Sequence, residues 1–213
     1  APRLYAVKDT ASQRTERPPL PFDLQEASKY FFKQFGWTAA HSLEVLQSLY
    51  EDLKVISYPR TDSRYFPDSA EMRQKVCEGI RAAHAWIREK HPATHLASQE
   101  LRTDEEMGKA KAFKNSESDH YALHPLSDLA RLSRANRDQL LAWMAVAQAC
   151  LIALDEPLKA KVIVRRWEQK DATGDYAPCV FRTARENILV PGWTRWVKDT
   201  GDAKTPPGMP DLV

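Results

Sequence analysis

Residues 22–58 read FDLQEASKYFFKQFGWTAAHSLEVLQSLYEDLKVISY, and the spacing of their apolar residues sets the fold class. Apolar residues recur every three or four positions between Asp23 and Gly36, which predicts one helix with Gly36 just past its end. Thr38 can cap a second helix, whose apolar stripe is Ala39, Leu43, Leu46 and Tyr50. KVISY at 54–58 then reads as a strand. Two helices with a trailing strand are typical of a winged helix, although a helical hairpin that contacts no DNA shows this pattern at least as often.

Two longer helices are predicted further along the chain. A capping-box-like start at Asp68 opens a helix that runs to about residue 90. Residues 91–120 are polar and irregular, and a connection of this length within a compact domain is expected to be functional or disordered. The last helix begins near Asn136, with Gln139 three residues later, and it is apolar nearly all round. We therefore expect it to be the most buried helix.

Both ends of the chain have the pattern of β-structure. RLYAVK at 3–8 reads as a short strand, and residues 9–21 read as a polar linker closed by prolines. LKAKVIV at 158–164 alternates in polarity, which predicts a half-solvated antiparallel strand. KDATGD at 170–175 predicts the turn of a hairpin into YAPCVFRTA at 176–184. The fold class is therefore α+β and mainly helical.

Composition excludes several classes of protein. Hydrophobic residues make up 43% of the 213 residues and charged ones 28%, and no apolar run approaches the roughly 20 residues that cross a bilayer. Cys77, Cys150 and Cys179 are odd in number and far apart, which suggests reduced thiols with neither a disulfide nor a zinc site. The net charge is only +2, so any nucleic-acid surface must come from local clustering of charge.

The short sequence Tyr58-Pro59-Arg60 carries a possible chemistry. Residues i and i+2 of an extended segment project to the same side, so Tyr58 and Arg60 can address one partner. A phenol is a poor nucleophile at neutral pH, because its pKa is about 10. An arginine fork stabilises the charge that builds on a phosphate under attack. The pair suits transesterification of a phosphodiester, although an arbitrary Tyr-Pro-Arg is most often a packed tyrosine beside a surface arginine.

Four separated elements together resemble the type IA DNA topoisomerases. They are ISYPRTDSRYFP at 56–67, the upstream run RPPLPFDLQEASKYFFKQFGWTAAHSLEVLQSLYED at 17–52, SDHYALHP at 118–125 and ENILVPGWTRWV at 186–197. They occur in the family's order and span most of the chain. The Tyr-Pro-Arg form and the PPLPFDL run are more similar to the topoisomerase III branch than to the bacterial topoisomerase I branch.

The resemblance implies a role for each matching residue. It makes Tyr58 the nucleophile that forms a 5′-phosphotyrosine link, Arg60 the residue that binds the phosphate, and His120 a contact of the scissile phosphate. It also assigns Thr61, Asp62 and Ser63 to phosphate or DNA binding. These residues would contribute by shaping the turn with short side-chain hydrogen bonds. The third element departs from the family's usual small residues and threonine, since His124 and Leu126 stand around its proline.

The resemblance also implies an architecture. A helical domain at 21–155, similar to a catabolite-activator-like winged helix, is expected to be inserted into an antiparallel β arch formed by residues 1–20 and 156–213. The chain opens with APRLYAVKD, and we expect both of its ends to continue in a longer protein. The family's Toprim domain, whose acidic cluster binds magnesium, has no counterpart in this sequence. The fragment is therefore expected to hold the nucleophile, to bind no metal itself and to be inactive alone.

The expected partners are single-stranded DNA and the Toprim and other domains of the parent chain. The fragment is expected to be a monomer, with no membrane partner, in the cytoplasm and associated with the nucleoid. A non-enzymatic winged-helix DNA-binding module is the main alternative; it predicts that bases are read by residues 39–52 and that Tyr58→Phe has no effect. A tyrosine recombinase is disfavoured, because its tyrosine would lie on a late helix.

Other candidate sites are weaker. His91 and His95 have metal-ligand spacing but lack a third ligand nearby. Trp37 and Tyr65 could stack on bases, although packing is the more common role of such residues. Six basic residues could contact phosphates, although a solvated surface is again more common: Lys109, Lys111, Lys114, Arg131, Arg134 and Arg137.

Overall fold

The computed structural model describes residues 4–115, 120–169 and 180–197 of the chain. The chain divides into two compact units. Of the described residues, those within 4–17 and 157–192 form a sheet unit, and those within 18–156 and 193–197 form a helical unit. The helical unit therefore includes residues 193–197, which lie within the segment 156–213 that the sequence assigns to the β arch.

The helical unit contains six α-helices and a 3₁₀ turn among the residues that the structure describes. They are α1 (Leu24–Phe35), α2 (Ala39–Glu51), α3 (Ala70–Lys90), α4 (His95–Ser98), α5 (Asp104–Met107), the 3₁₀ turn Ala130–Arg134 and α6 (Arg137–Ala153). A second 3₁₀ turn, Gly192–Trp196, follows the sheet. Residues 91–115 are thus mostly irregular, as predicted, with two single-turn helices.

The predicted helix ends are confirmed at α1, α2 and α6. Asp23 caps α1 by accepting from the backbone N–H of Glu26, and Gly36 closes the helix at a φ of 72°. That left-handed conformation favours glycine, which has no Cβ to clash. Thr38 caps α2, and Asn136 with Gln139 forms a reciprocal capping box at α6. These short side chains satisfy backbone donors that would otherwise lack partners.

The predicted start of α3 is wrong by one residue. Ser69, not Asp68, is the N-cap, and its hydroxyl accepts from the backbone N–H of Met72. Asp68 lies outside the helix and accepts from the guanidinium of Arg73 instead. The serine hydroxyl occupies the position from which a cap reaches the first free backbone donors, so the carboxylate is left for an ion pair.

The predicted buried face of α2 is also wrong in part. The buried residues are Ser42, Val45, Leu46 and Leu49, whereas Ala39 is exposed and Tyr50 keeps 38% of its surface accessible. The apolar residues of α2 fit two stripes, one through Leu43 and Tyr50 and one through Val45 and Leu49. Packing against α1 and α6 buries the stripe with Val45 and Leu49. Tyr50 is thereby turned towards the surface.

Helix α6 is the most buried helix, as predicted. Its residues from Ala142 to Ala153 are all buried, and Trp143 is fully enclosed. Aromatic residues of α1, including Phe31, pack into the same core. Burying apolar side chains contributes about 25 cal/mol per Å², so this continuous core is the main source of stability of the helical unit.

The sheet unit is a three-stranded antiparallel sheet in the order β1-β2-β3. The strands are β1 (Leu4–Glu16), β2 (Leu158–Gln169) and β3 (Val180–Val190). The prediction of a linker over 9–21 is wrong for residues 9–16, since they pair with β2 as far as Glu16 opposite Leu158. All of their side chains except that of Ala11 are polar, and it is the backbone pairing with a distant segment that makes them a strand.

The predicted strand LKAKVIV is confirmed and extends to residue 169. Leu158 and Ala160 are buried and Lys159 and Lys161 exposed, as the alternation requires. The predicted turn at 170–175 and Cys179 fall outside the described residues. Cys77 and Cys150 are buried free thiols.

A buried carboxylate, that of Asp155, binds the segment with which the chain returns to the helical unit. Asp155 accepts from the Nε–H of Arg195 and from the indole N–H of Trp196, each at 2.6 Å. The side-chain amide of Gln148 donates to the Trp196 carbonyl at 2.8 Å, and the N–H of Trp193 donates to the Glu156 carbonyl at 2.9 Å. The point where the chain leaves the unit is thus tied to the point where it returns.

A search of the described residues finds no helix both long and apolar enough to cross a membrane.

Candidate active site around Tyr58

The segment from Ser57 to Ser63 alternates strictly in burial. Tyr58, Arg60 and Asp62 are exposed. The residues between and beside them are buried: Ser57, Pro59, Thr61 and Ser63. Such a two-residue period belongs to an extended backbone, in which alternate side chains point to opposite sides. The sequence thus presents a phenol, a guanidinium and a carboxylate to solvent from one ribbon.

The predicted strand at 54–58 is wrong, because it is reduced to a single bridge between Ile56 and Pro125. On either side of the bridge, the N–H of Ser57 donates to the His124 carbonyl at 2.9 Å, and the N–H of Leu126 donates to the Val55 carbonyl at 3.0 Å. Pro59 has no N–H and cannot extend the pairing. A trailing wing is therefore not formed here.

The segment 122–126 forms the floor beneath Tyr58. Its Leu123 N–H donates to the Phe22 carbonyl at 2.8 Å, and its Ala122 N–H donates to the Tyr65 carbonyl at 3.0 Å. Helix α3 approaches it through Gly79, where an added Cβ would lie 2.1 Å from the Pro125 carbonyl oxygen. Only glycine allows this approach. The third family-like element thus supports the loop that carries the tyrosine.

Thr61 and Ser63 form bonds within the loop. The Thr61 hydroxyl accepts from the Ser63 N–H at 3.1 Å, and the Ser63 hydroxyl accepts from the Tyr65 N–H at 3.2 Å. The Thr61 carbonyl accepts from the N–H of Leu24 at 3.1 Å, which ties the loop to the start of α1. Both side chains are almost fully buried. Their contacts suit the turn-shaping role, and direct DNA contact by either of them stays a prediction.

Two aromatic rings flank the ring of Tyr58. His120 lies with its ring centroid 4.9 Å away at an interplanar angle of 42°, and Tyr50 lies 5.5 Å away at 76°. Tyr58 itself keeps 39% of its surface accessible. The structure thus brings His120, two residues before the floor segment, against Tyr58. The alternation of the ribbon exposes Arg60 on the same side as Tyr58.

Arg60 is exposed, and within the described residues its guanidinium has no hydrogen-bond or ion-pair acceptor. Asp62 is exposed one alternate position further along the ribbon. A guanidinium held at the surface without an internal carboxylate is free to bind an external anion. The ribbon can therefore offer a nucleophile and a phosphate ligand to one partner.

His124 lies below this surface and not on it. It is 4% exposed, its Nδ1–H donates to the Ala122 carbonyl at 3.2 Å, and its ring meets Phe66 edge-on at 5.6 Å. Burial lowers the pKa of His124 to about 4, because the charged imidazolium would lose its hydration. His124 is therefore neutral at pH 7 and acts as part of the core.

Three residues at the site were missed by the sequence reasoning. Ser57 accepts from the backbone N–H of His124 at 3.1 Å, which locks the floor to the loop. Arg64 donates to the carbonyls of Leu20 and Pro21 and so ties the loop to the proline-rich run. Tyr50 packs on Tyr58. Only the position of Ser57, directly before Tyr58, carries a sequence signal. Arg64 acts on residues more than 40 positions earlier, and the face of α2 that exposes Tyr50 is set by packing.

Most of the other candidates have roles within the fold. The ammonium of Lys114 lies 5.2 Å from the ring centroid of Tyr65, and Arg131 donates to the Asp52 carbonyl at 3.3 Å. Trp37 packs between Phe35 and His41 in an aromatic cluster. Contacts of the basic residues and of these rings with DNA stay predictions.

His91 and His95 have separate partners. The ring of His91 packs on Trp86 with centroids 5.2 Å apart, and burial lowers the pKa of His91. Nε2 of His95 lies 2.8 Å from the Trp196 carbonyl oxygen. No group of three or more His, Cys, Asp or Glu among residues 4–115, 120–169 and 180–197 could hold a metal ion.

Comparison with known proteins gives a family match over nearly the whole chain. A family model described as DNA topoisomerase matches residues 3–212. The chain is 32% identical over 190 residues to DNA topoisomerase 3 of Shouchella clausii, and 31% identical over 181 residues to DNA topoisomerase 3 of Bacillus thuringiensis strain Al Hakam. These alignments cover 88% and 85% of this chain and 24% and 23% of the relatives. The chain thus spans about a quarter of their length.

A solved structure shows the same fold at low sequence identity. Full-length topoisomerase I from Thermotoga maritima superposes with a TM-score of 0.62 at 18% identity, over 99% of this chain and 32% of that one. The α+β arrangement of helices and a three-stranded antiparallel sheet is thereby supported.

Proposed function

This chain belongs to the DNA topoisomerase family, and we propose that it supplies the strand-cleaving tyrosine of a type IA enzyme of the topoisomerase III branch. The observation that carries the proposal is the exposed ring of Tyr58, two residues from an exposed guanidinium without an internal acceptor and in contact with His120. The family match supports DNA as the substrate, and we propose a single strand because Tyr58, Arg60 and Asp62 are exposed from one extended segment.

The proposed reaction is a transesterification. The Tyr58 phenolic oxygen attacks the phosphorus of a DNA phosphodiester and forms a phosphotyrosine bond to the new 5′ end created at the break. The bond from phosphorus to the 3′ oxygen breaks, and that oxygen leaves with the electron pair and takes up a proton. The phenol gives up its proton in the same exchange. Reversal reseals the strand, so the number of phosphoester bonds is conserved.

Arg60 and His120 would act on the phosphate. A guanidinium can bind two phosphate oxygens and stabilise the negative charge that accumulates during attack. His120, whose ring contacts Tyr58, would reach the same phosphate from the other side of the nucleophile. Asp62, Thr61 and Ser63 would maintain the shape of the ribbon, two of them through the internal bonds described above.

The remaining parts of the reaction are assigned to other domains. We assign magnesium to a Toprim domain, as the resemblance to the family implies. The isolated chain is accordingly proposed to be a monomer that is inactive alone, and to work in the cytoplasm on nucleoid DNA as part of a longer chain. Single-stranded DNA and the Toprim domain are its proposed partners.

The test is a covalent-adduct assay with a matched control. The chain is joined to the Toprim and remaining domains of a topoisomerase 3 relative and incubated with magnesium and a labelled single-stranded oligonucleotide. Wild type should form a denaturant-resistant protein–DNA adduct, Tyr58→Phe should form none, and Tyr65→Phe should behave as wild type. Cleavage that persists with phenylalanine at 58 would overturn the proposal and favour a DNA-binding module with another nucleophile.

A further inference from the structure

Tyr50 lies on the last turn of α2 and meets Tyr58 edge to face. The ring centroids are 5.5 Å apart with an interplanar angle of 76°. This geometry is the favoured one for an aromatic pair, in which the positive ring edge meets a negative ring face. Tyr50 is itself 38% exposed, so the contact is made at the surface and not in the core.

Tyr58 has a fixed backbone and a side chain that needs restraint. Ser57 and Pro59 on either side are buried, and the Ser57 N–H is bonded to His124. The exposed phenol ring could still rotate about χ1 into another staggered position, which would carry its oxygen several ångströms away. The rings of His120 and Tyr50 both contact the Tyr58 ring, and each of them restricts its rotation.

Tyr50 is attached to the same rigid body as Tyr58. The N–H of Val55 donates to the Leu49 carbonyl at 3.0 Å, and the N–H of Leu53 donates to the Ser48 carbonyl at 3.2 Å. Leu46 and Leu49 anchor the helix in the core without exposure. The end of α2 and the start of the Tyr58 loop therefore move together, so the fold fixes the separation of the two backbones that carry Tyr50 and Tyr58.

We propose that Tyr50 is a positioning residue that holds the Tyr58 ring in the rotamer from which its oxygen can reach the phosphate. The inference rests on the proposed function of Tyr58 as a nucleophile. Near-attack geometry controls a large part of the rate of such reactions, so loss of the contact lowers the rate of cleavage. DNA affinity is unchanged, because the ring acts on Tyr58 and not on DNA.

The experiment measures single-turnover cleavage in the same chimeric enzyme over a range of oligonucleotide concentrations. Tyr50→Leu removes the ring, Tyr50→Phe keeps it, and Phe32→Leu is a control on an exposed aromatic residue of α1. Tyr50→Leu should lower the rate at saturating DNA by about 3- to 10-fold, the range expected for one aromatic pair, with the half-saturating concentration unchanged. Tyr50→Phe and Phe32→Leu should stay within about 2-fold of wild type.

A second measurement uses the isolated chain and needs no catalysis. With Tyr58 carrying a ring label for NMR, Tyr50→Leu should shift and broaden its resonance, and Tyr50→Phe should preserve it. An unchanged rate and resonance with Tyr50→Leu would overturn the proposal. A higher half-saturating concentration at an unchanged rate would also overturn it and make Tyr50 a base-stacking residue. Failure of the proposed function is distinguishable, because Tyr58→Phe would then still cleave.

Discussion

The two units of the molecule each contain an Asp–Arg pair of similar length in opposite surroundings. In the helical unit, Asp155 lies 2.6 Å from Arg195 with its own side chain 1% exposed. In the sheet unit, Asp9 lies 2.7 Å from Arg165 with both side chains nearly half exposed. The guanidinium of Arg165 lowers the pKa of the Asp9 carboxyl by hydrogen bonding. Removing one member of a buried ion pair destabilises the fold strongly, because buried groups lose their partner. Removing one member of an exposed pair costs little, because water solvates the other member.

The same contrast holds for apolar side chains. The residues of α6 from Ala142 onwards are buried. On β3, by contrast, Phe181 is 51%, Ile188 62% and Leu189 57% exposed. The helical unit is held by its core, and the sheet by backbone hydrogen bonds between its strands. This difference bears on the proposed function, because an exposed side chain such as Tyr58 can be kept in one geometry only if the residues beneath it are packed.

The largest expected effect tests the buried ion pair. Asp155→Ala leaves the buried Trp196 indole and the partly exposed Arg195 guanidinium without their acceptor, and should lower the free energy of unfolding of the helical unit by about 3–5 kcal/mol. Urea unfolding followed by tryptophan fluorescence measures it, since five of the six tryptophans lie in this unit. Asp9→Ala is the matched control and should leave the midpoint unchanged. Equal effects of the two changes would remove the contrast between the units.

The next effect tests the packing beneath Tyr58. Gly79→Ala places a methyl group 2.1 Å from the Pro125 carbonyl oxygen, so α3 or the floor segment must shift. We expect a loss of about 3 kcal/mol, towards the upper end of the cost of overpacking. Differential scanning calorimetry measures it. A melting temperature equal to that of wild type would show that the floor is looser than its contacts imply.

A pH dependence is expected from His124. Its pKa is about 4 in the fold and about 6.5 in the unfolded chain, so between these values the unfolded state binds more protons and stability falls as the pH is lowered. Between pH 7 and pH 5 this difference in pKa should lower the free energy of unfolding by about 2 kcal/mol. His124→Gln should flatten the pH dependence of urea unfolding by that amount. Parallel curves for the two proteins would place His124 in contact with water.

The smallest effect is expected on the outer strand. Ile188→Thr changes an exposed side chain of β3 and should alter the free energy of unfolding by less than about 0.5 kcal/mol. Leu46→Ala, in the core of the helical unit, should cost about 2–5 kcal/mol. Chemical unfolding of both variants measures the difference. A large loss with Ile188→Thr would mean that β3 packs as a core element.

The helical unit was largely predictable from the sequence, because its signals are local. Asp23, Thr38 and Asn136 cap helices by reaching backbone groups three residues away. The extent of β1 was not predictable. Its residues 9–16 are polar except for Ala11, and they form a strand only because β2, about 150 residues later, supplies hydrogen-bond partners. Long-range pairing of this kind leaves little trace in a single sequence.

The candidate site shows the same division. Tyr58 and Arg60 were found from a local motif and a family resemblance. The spacing of Tyr50 predicts a buried stripe, whereas the buried face of α2 is set by packing against α1 and α6. Arg64 acts through carbonyls of Leu20 and Pro21, more than 40 positions earlier in the chain. Contacts set by tertiary structure therefore leave no local signal, and the roles of Tyr58 and Arg60 stay predictions.

The most direct test of the account is to locate the DNA on the protein. The chimeric enzyme is trapped on an oligonucleotide, digested with nuclease and protease, and its peptides are sequenced by mass spectrometry. The account predicts a nucleotide mass on the side chain of Tyr58 alone. A nucleotide mass on any other residue, or strand cleavage without modification of Tyr58, would contradict it.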